Sequence, residues 1–168
     1  MNLGRLKEPY RISPKLIAQL HEHTASLPEN WQVHPESLTT LLEMYRDNAE
    51  FLTLYAYIQE RANRDYDVAE EYYKKAIAAA PDDAEYLGKY AVFLYYIKED
   101  YQQAEVYYLS AIQSNPHHAG ALGSYASFLS LVKGDYQQAE DYYKKALDIE
   151  PNHVGNLGSY AYYLHHIK

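Results

Sequence analysis

Apolar and small residues recur along the second half of the chain at the spacing of helix faces. Between residues 84 and 118 they form two stripes. The first has members three, four and seven positions apart and consists of Leu87, Tyr90, Ala91 and Leu94. The second runs through Tyr101, Ala104, Tyr108 and Ala111. This periodicity is typical of amphipathic helices, so the stretch predicts two helices joined in a hairpin.

Residues suited to start and stop a helix border the second stripe. Asp100 precedes it, and its carboxylate can accept hydrogen bonds from the free amides of a first helical turn. Pro116 lies five residues after Ala111 and ends the helix, because proline cannot donate the next backbone hydrogen bond. Pro81 and Pro151 lie 35 residues to either side of Pro116. The stop signal therefore recurs at a fixed distance.

The whole hairpin pattern repeats with this period of 35 residues. Residues 84–118 match residues 119–153 without a gap at 19 of 35 positions. The last 15 residues, 154–168, repeat residues 119–133 at 8 positions. Such self-similarity indicates a repeat protein in which each hairpin packs on its neighbours.

This pattern resembles the tetratricopeptide repeat (TPR). The small residue of the family's first helix falls on Ala91, Ala126 and Ala161, and the Ala-aromatic-Ala-Pro series of its second helix falls on Ala104, Tyr108, Ala111 and Pro116. The resemblance implies an all-α, right-handed α-solenoid of antiparallel helical hairpins. Two departures are a period of 35 residues against about 34 in the family and leucine where the family has a first-helix tryptophan. They keep the related half-a-TPR class as an alternative, although the regular proline favours the ordinary repeat.

The 35-residue frame divides the whole chain. Ile17, Leu20, Leu38 and Leu41 fall on apolar slots of a further, degenerate unit. We therefore predict about nine helices, arranged as an N-terminal extension (1–13), a degenerate N-terminal helical hairpin (14–48), three clear repeats (49–83, 84–118 and 119–153) and a C-terminal capping helix (154–168). Because Tyr162 and Tyr163 would lie on the exposed side of that last helix, a piece of a longer array is the alternative.

Composition and charge exclude several classes of protein. The formal net charge is -8, which disfavours a nonspecific grip on nucleic acid, and most of the acid lies in residues 49–168, with 17 acidic and 10 basic groups. The chain has no cysteine, so a disulfide framework, a thiolate zinc site and a cysteine nucleophile are excluded. It has no apolar stretch of the ~18 residues that a membrane span needs. We therefore expect a cytoplasmic protein without nucleic-acid or membrane partners.

The sequence carries no sign of catalysis. It has no phosphate loop, nucleophile elbow or HExxH motif. The histidines come as His21-Glu22-His23, His117-His118 and His165-His166, spacings that point away from one another on a helix, whereas two ligands for one metal prefer three or four residues. We predict neither an enzyme nor a metal or cofactor site.

By resemblance to the family, residues of the first helices line a concave groove. The groove residues that we expect to contact a partner are Tyr57, Arg61, Lys89, Val92, Tyr95, Tyr96, Ser127, Leu131, Tyr162 and His166. Some family members clamp a peptide carboxylate with asparagines and basic residues, but the matching rows here read Tyr57, Val92, Ser127 and Leu54, Lys89, Ser124. The clamp is therefore absent and binding of chaperone tails is disfavoured. Glycine recurs at 88, 123 and 158, which indicates close approach of a neighbouring helix or, less readily, of a ligand.

These observations predict a noncatalytic scaffold that binds a protein or peptide in a tyrosine-rich groove, as a monomer or weak dimer. The alternative is an acidic immunity or inhibitor protein that neutralises a basic toxin or nuclease, which the net charge would suit. A second contact surface is a convex patch of Val106 and Leu109, because the neighbouring repeats carry charged residues in these slots.

Overall fold

The computed structural model describes residues 42–43 and 45–167, and all regular secondary structure in this part of the chain is helical. Seven helices lie between residues 49 and 166: α1 (Ala49–Ile58), α2 (Tyr66–Ala79), α3 (Ala84–Phe93), α4 (Tyr101–Ser114), α5 (Ala119–Phe128), α6 (Tyr136–Ile149) and α7 (Val154–His166). The helices pair as α1 with α2, α3 with α4 and α5 with α6, and α7 packs on α5 and α6. This part of the chain is thus an α-solenoid. The extension predicted at 1–13 and most of the hairpin predicted at 14–48 lie outside the described residues.

Side chains with short polar ends start the helices, as the sequence indicates for the second helix of each pair. The carboxylates of Asp65, Asp100 and Asp135 accept hydrogen bonds from backbone amides three residues later, at 3.0–3.2 Å. Before α5 and α7 the cap is histidine, and Nδ1 of His118 and of His153 accepts from a backbone amide at 3.1 Å. Each capped amide would otherwise lack a partner.

The extra residue of the 35-residue period lies in a π-helical turn at the end of each first helix. These turns span Gln59–Asn63, Leu94–Lys98 and Leu129–Lys133. A π turn holds more residues than an α turn because its hydrogen bonds reach five residues back. Each turn ends in a left-handed residue, and of these only Gly134 is free of the steric cost that a side chain adds.

Aromatic rings form a ladder between successive hairpins. The buried tyrosine of each second helix contacts two rings, three residues apart, of the next first helix, in the sets Tyr73 with Tyr90 and Phe93, Tyr108 with Tyr125 and Phe128, and Tyr143 with Tyr160 and Tyr163. Their ring centroids lie 5.2–6.1 Å apart. Such pairs stabilise beyond the area they bury. Many tyrosines of this chain therefore join repeats rather than face solvent.

The ladder tyrosines differ in the environment of their hydroxyl groups. The Tyr143 hydroxyl lies 2.9 Å from Oγ of Ser127. The Tyr108 hydroxyl is buried and has no hydrogen-bond partner among the described residues, because its repeat has Val92 in the slot of Ser127. Burying a hydroxyl without a partner costs free energy, whereas a bonded one contributes.

This contrast predicts opposite effects of the same change. We expect Tyr108→Phe to raise the free energy of unfolding by about 1 kcal/mol and Tyr143→Phe to lower it by about 1 kcal/mol. Urea denaturation followed by circular dichroism measures both. Equal effects of the two variants would show that the Tyr108 hydroxyl is satisfied in solution.

The recurring glycines of the first helices have three different environments. A Cβ atom on Gly123 would lie 2.0 Å from Oδ1 of Asn156, whose Nδ2 donates to the carbonyl of Ala119 at 2.9 Å. A Cβ atom on Gly88 would meet only Ala121, whose Cβ lies 3.7 Å away, and one on Gly158 would meet no atom within 4 Å. Close approach of a neighbouring helix therefore requires glycine at 123 alone.

A glycine-to-alanine series tests this difference. We expect Gly123→Ala to lower the free energy of unfolding by about 1–3 kcal/mol, because Asn156 and with it α7 must move. Gly158→Ala should raise it by up to about 1 kcal/mol through the helix propensity of alanine, and Gly88→Ala should not lower it. Chemical denaturation of the three variants decides the matter, and a Gly123→Ala protein as stable as Gly158→Ala would refute the close approach.

The final helix covers the edge of the last repeat with part of its surface only. Tyr163 is buried, and its hydroxyl donates to the carbonyl of Tyr136 at 2.9 Å. The expectation that Tyr163 lies on the exposed side is therefore wrong, whereas Tyr162 is exposed. Leu157 and Leu164 are 44% exposed, although their counterparts in the two preceding repeats are buried.

Candidate functional site

A recess opens on the face that the first helices share, between α3 and α7. It has a volume of about 330 Å³, and we call it the groove pocket. Its lining consists of Tyr96, Ser127, Ser130, Leu131, Tyr143, Gly158, Ser159 and Tyr162. Ser130 and Leu131 lie in the π turn after α5, and Tyr96 lies in the π turn after α3. The π turns therefore help to shape the site, as such turns often do at functional positions.

The recess exists because one repeat has small side chains where its neighbours have large ones. The rows of equivalent positions along this face read Val92, Ser127, Tyr162; Tyr95, Ser130, His165; and Tyr96, Leu131, His166. In two of the three rows the middle repeat contributes serine. Because all repeats follow the same backbone path, a small residue between larger ones leaves a depression. Serines thus form its floor, and tyrosines stand on both sides.

Hydroxyl groups of the floor are linked to one another and to the backbone. Oγ of Ser127 lies 3.1 Å from the carbonyl oxygen of Gly123 and 2.9 Å from the Tyr143 hydroxyl. Oγ of Ser130 donates to the carbonyl of Ser127 at 3.0 Å. Ser127, Ser130 and Tyr143 are at least nine-tenths buried. The floor is therefore polar, rigidly held and without charged side chains.

The rim of the groove pocket is aromatic and open to solvent. Tyr96 is 59% exposed and Tyr162 is 52% exposed, in contrast to the buried rings of the ladder. Tyr96 lies against the ring of Tyr95 at 4.2 Å, and Tyr162 stacks on the imidazole of His166 at the same distance. Exposed tyrosines beside a recess offer a partner large contact area with few rotatable bonds.

The structure brings together four of the ten predicted groove residues, namely Tyr96, Ser127, Leu131 and Tyr162. Val92 is half-buried and belongs to the row of Ser127, and His166 belongs to the row of Leu131. Tyr57 and Arg61 are exposed and lie one repeat before the groove pocket. The guanidinium of Arg61 lies 5.9 Å from the centroid of the Tyr57 ring. These two form a separate end of the same face.

Two predicted groove residues have other principal contacts. Tyr95 is only 9% exposed and packs on Phe128, so it contributes to the core more than to an open surface, and burial raises its pKa to about 12. Lys89 binds Oε1 of Glu85 at 2.7 Å, and Nε2 of His118 contacts the other oxygen of that carboxylate at 3.0 Å. The hydrogen bond from His118 lowers the pKa of Glu85. Partial burial opposes this shift, but the hydrogen bond and charge of Lys89 add to it, and the pKa of Glu85 is about 2. This cluster ties α3 to the start of α5.

The ten predicted residues omit four residues of the lining, namely Ser130, Gly158, Ser159 and Tyr143. Of these, Tyr143 alone lies outside the first helices and the turns that follow them. It lies on a second helix and occupies the aromatic slot of the Ala-aromatic-Ala pattern, which marks a core position. The serine at position 127 is the available signal, because a tyrosine hydroxyl that reaches through the repeat needs a polar neighbour.

The other candidate features remain on the surface or in structural roles. The described residues contain no cluster of three or more side chains of the kinds that bind metal ions. His118 and His153 cap helices, and the His21-Glu22-His23 run lies outside the described residues. Val106 and Leu109 of the convex patch are 52% and 46% exposed on α4. Within the described part of the chain, no helix is long and apolar enough to span a bilayer.

Comparison with known proteins agrees with the fold. The family model described as a tetratricopeptide repeat matches residues 36–84, 60–119 and 94–154, while no curated protein matches the chain. One similar solved structure is the first TPR of Spaghetti (RPAP3) bound to the HSP90 peptide SRMEEVD, with 19% identity and a TM-score of 0.59 over 70% of this chain and 90% of that one. Another is the Arabidopsis OM64 TPR domain, with 21% identity and a TM-score of 0.58 over 71% of this chain and 96% of that one. At such identities the likeness shows a common fold.

Proposed function

Because the chain belongs to the tetratricopeptide repeat family, we propose that it is a noncatalytic scaffold that binds a peptide or a protein segment along the face of its first helices. The groove pocket carries this proposal. It combines a recess of about 330 Å³ with two rings, Tyr96 and Tyr162, that stay exposed although most tyrosines of the described repeats are at least partly buried. Tyrosines of this kind are frequent anchors in protein interfaces.

The chemistry of the pocket sets this scaffold apart from one that binds acidic chaperone tails. The RPAP3 domain is described as bound to an HSP90 peptide that ends in Glu-Glu-Val-Asp. In this chain no basic residue lines the groove pocket, and Lys89 is already paired with Glu85. A carboxylate brought here would lose water and gain no cation, and the serines of the floor already direct their hydroxyl hydrogens to backbone carbonyls, so its transfer is unfavourable. We therefore propose a partner segment that is not acidic, and a cytoplasmic location remains a prediction.

A peptide library tests the proposed function. The protein is panned against a phage library of random 12-residue peptides, and enriched peptides are synthesised and titrated by fluorescence anisotropy. We expect Tyr96→Ala combined with Tyr162→Ala to weaken binding at least 30-fold, which corresponds to at least ~2 kcal/mol. Circular dichroism should show an intact fold, since both rings are exposed.

The matched control changes the convex patch instead. Val106→Glu with Leu109→Lys introduces the kind of charged residues that the neighbouring repeats carry, and this double variant should keep wild-type affinity. If the control loses binding and the tyrosine variant keeps it, the partner surface is the outer face of the second helices. If no peptide binds the wild-type protein more tightly than it binds the Tyr96→Ala, Tyr162→Ala variant, the proposal that the scaffold binds peptides is wrong.

The acidic-inhibitor alternative has one supporting observation, the excess of acidic residues in 49–168. Several of these carboxylates already bind lysines within the structure, including Glu70, Glu105 and Glu140. An inhibitor of a basic protein would form a complex whose affinity falls steeply with salt. A fall of more than 100-fold between 50 mM and 500 mM salt would favour that alternative over binding in the groove pocket.

A further inference from the structure

The hydrogen atoms of the pocket floor can be assigned from its hydrogen bonds. A carbonyl oxygen only accepts, so the single hydroxyl hydrogen of Ser127 points to the carbonyl of Gly123 at 3.1 Å. The hydrogen of Ser130 is likewise directed to the carbonyl of Ser127 at 3.0 Å. In this arrangement Ser127 has no second hydrogen, so we assign Tyr143 as the donor in the 2.9 Å contact between their hydroxyls. All three hydrogens therefore point into the protein.

The consequence is a floor that accepts hydrogen bonds and donates none. Each of the three hydroxyl oxygens, on Ser127, Ser130 and Tyr143, keeps lone-pair capacity after its own hydrogen is used. The pocket lining contains no lysine, arginine or histidine, and its remaining hydroxyl donors belong to Ser159, Tyr96 and Tyr162, which lie outside the floor. The rings of Tyr96 and Tyr162 also line the pocket, and aromatic rings attract cations because their faces carry partial negative charge.

Among the polar groups of a peptide, the floor suits a primary ammonium best. A carboxylate brings only acceptors, and a side-chain amide brings a carbonyl oxygen for which the floor has no donor. A guanidinium brings five N–H groups in a wide plane, more than three oxygens can satisfy. A lysine ammonium has three N–H donors and no acceptor, which equals the number of floor oxygens. The net charge of -8 adds a favourable long-range field.

The approach to the floor also suits a lysine side chain. Leu131 lines the pocket beside the serines and is half exposed, so it can pack on the methylene stem. Gly158 has no atom within 4 Å of the position of a Cβ, which leaves room on the opposite wall. We propose that the groove pocket binds the ammonium group of a lysine side chain in the partner segment. This inference rests on the proposed scaffold function.

The first test uses the peptides selected from the library. They should share a lysine, and replacing it with norleucine, which keeps the stem and removes the charge, should weaken binding at least 30-fold. Replacement by glutamine or arginine should weaken binding about 10-fold or more. Peptides that bind through Tyr96 and Tyr162 but tolerate norleucine would overturn the assignment of lysine while leaving the scaffold proposal in place.

A double-variant comparison assigns the effect to the floor. Ser130→Ala removes one acceptor and should weaken the lysine peptide about 10-fold but the norleucine peptide less than 2-fold. Ser124→Ala, a serine of the same repeat that does not line the pocket, is the matched control and should change neither affinity. Equal losses for both peptides in Ser130→Ala would assign that serine to packing and overturn its role as an acceptor.

A peptide-free measurement separates the two proposals. The ¹⁵N-labelled protein is titrated with n-butylammonium chloride and, separately, with n-butanol at matched ionic strength and pH 8. We expect saturable amide shifts at residues 127–131 and 158–162 with n-butylammonium alone. Such shifts would support the ammonium site even if the library yields no peptide, in which case only the peptide-binding form of the scaffold proposal fails. Equal shifts with both probes, or none, would overturn the ammonium site.

Discussion

Replacing Phe128 with alanine should lower the free energy of unfolding by about 3–5 kcal/mol. The ring is fully buried and lies 5.7 Å from the centroids of both Tyr95 and Tyr108 and 6.1 Å from that of Tyr125. It therefore joins the π turn of one repeat, the second helix of that repeat and the first helix of the next. Truncation leaves a cavity among rings that belong to different helices and cannot close on it together.

Urea denaturation measured by circular dichroism and by tyrosine fluorescence checks this expectation. Tyr162→Ala is the matched control, because it removes an exposed ring from the groove face and should cost less than about 1 kcal/mol. A loss below ~1 kcal/mol for Phe128→Ala would show that the ladder does not couple the repeats. Separate transitions for the two probes would show that the repeats unfold in steps.

Replacing Glu70 with glutamine should lower the free energy of unfolding by about 1–2 kcal/mol at neutral pH, since solvent screens part of the effect, and by much less in acid. Its carboxylate binds Lys74 at 2.6 Å and Lys98 at 2.8 Å, and it accepts a hydrogen bond from the Tyr90 hydroxyl at 3.3 Å. Partial burial raises the pKa of Glu70, but the hydrogen bonds and charges of the two lysines outweigh it and lower the pKa from 4.5 to about 2. These bonds join α2 to the end of the next first helix.

The pH dependence is set by the direction of this shift. Because the pKa is lower in the folded protein than in the unfolded chain, the contribution is fully present above pH 4.5 and is lost as the pH falls towards 2. The difference in unfolding free energy between wild type and Glu70→Gln should therefore shrink over this range. Urea titrations from pH 7 to pH 2.5 measure it.

Glu71→Gln supplies the control for the pH experiment. Glu71 is the adjacent carboxylate, is 58% exposed and has one ion pair, with Lys75. Exposed pairs of this kind contribute at most about 0.5–1 kcal/mol. A difference for Glu70→Gln that stays constant from pH 7 to pH 3 would mean that Glu70 acts through packing and not through its charge.

The sequence alone determined the repeating frame and the helices within it. The two stripes, the aspartate caps and the prolines specify helix positions locally, because helix periodicity and capping act over a few residues. The buried slots of Ala91, Tyr108 and Ala111 could be read from the same pattern. Family membership was also evident from residues that recur at a fixed spacing.

The candidate site was only partly within reach of the sequence. The rows of the groove face could be written from the 35-residue period, and they contain Ser127 between Val92 and Tyr162. The burial of Tyr95 could not be read this way, because the π turn sets the direction of that side chain. Tyr143 belongs to the floor because its hydroxyl reaches between two helices to Ser127. A local sequence pattern does not indicate how far a side chain reaches.

Tertiary structure decided the differences between residues that look equivalent in sequence. Gly123 and Gly158 occupy the same slot, yet only Gly123 faces Asn156 of the following helix. Tyr108 and Tyr143 also share a slot, yet the hydroxyl bonds of Tyr143 depend on a serine sixteen residues away. Periodicity specifies the slot of a residue within its own helix. Its neighbours come from adjacent helices, and only the packing of those helices brings the particular side chains together.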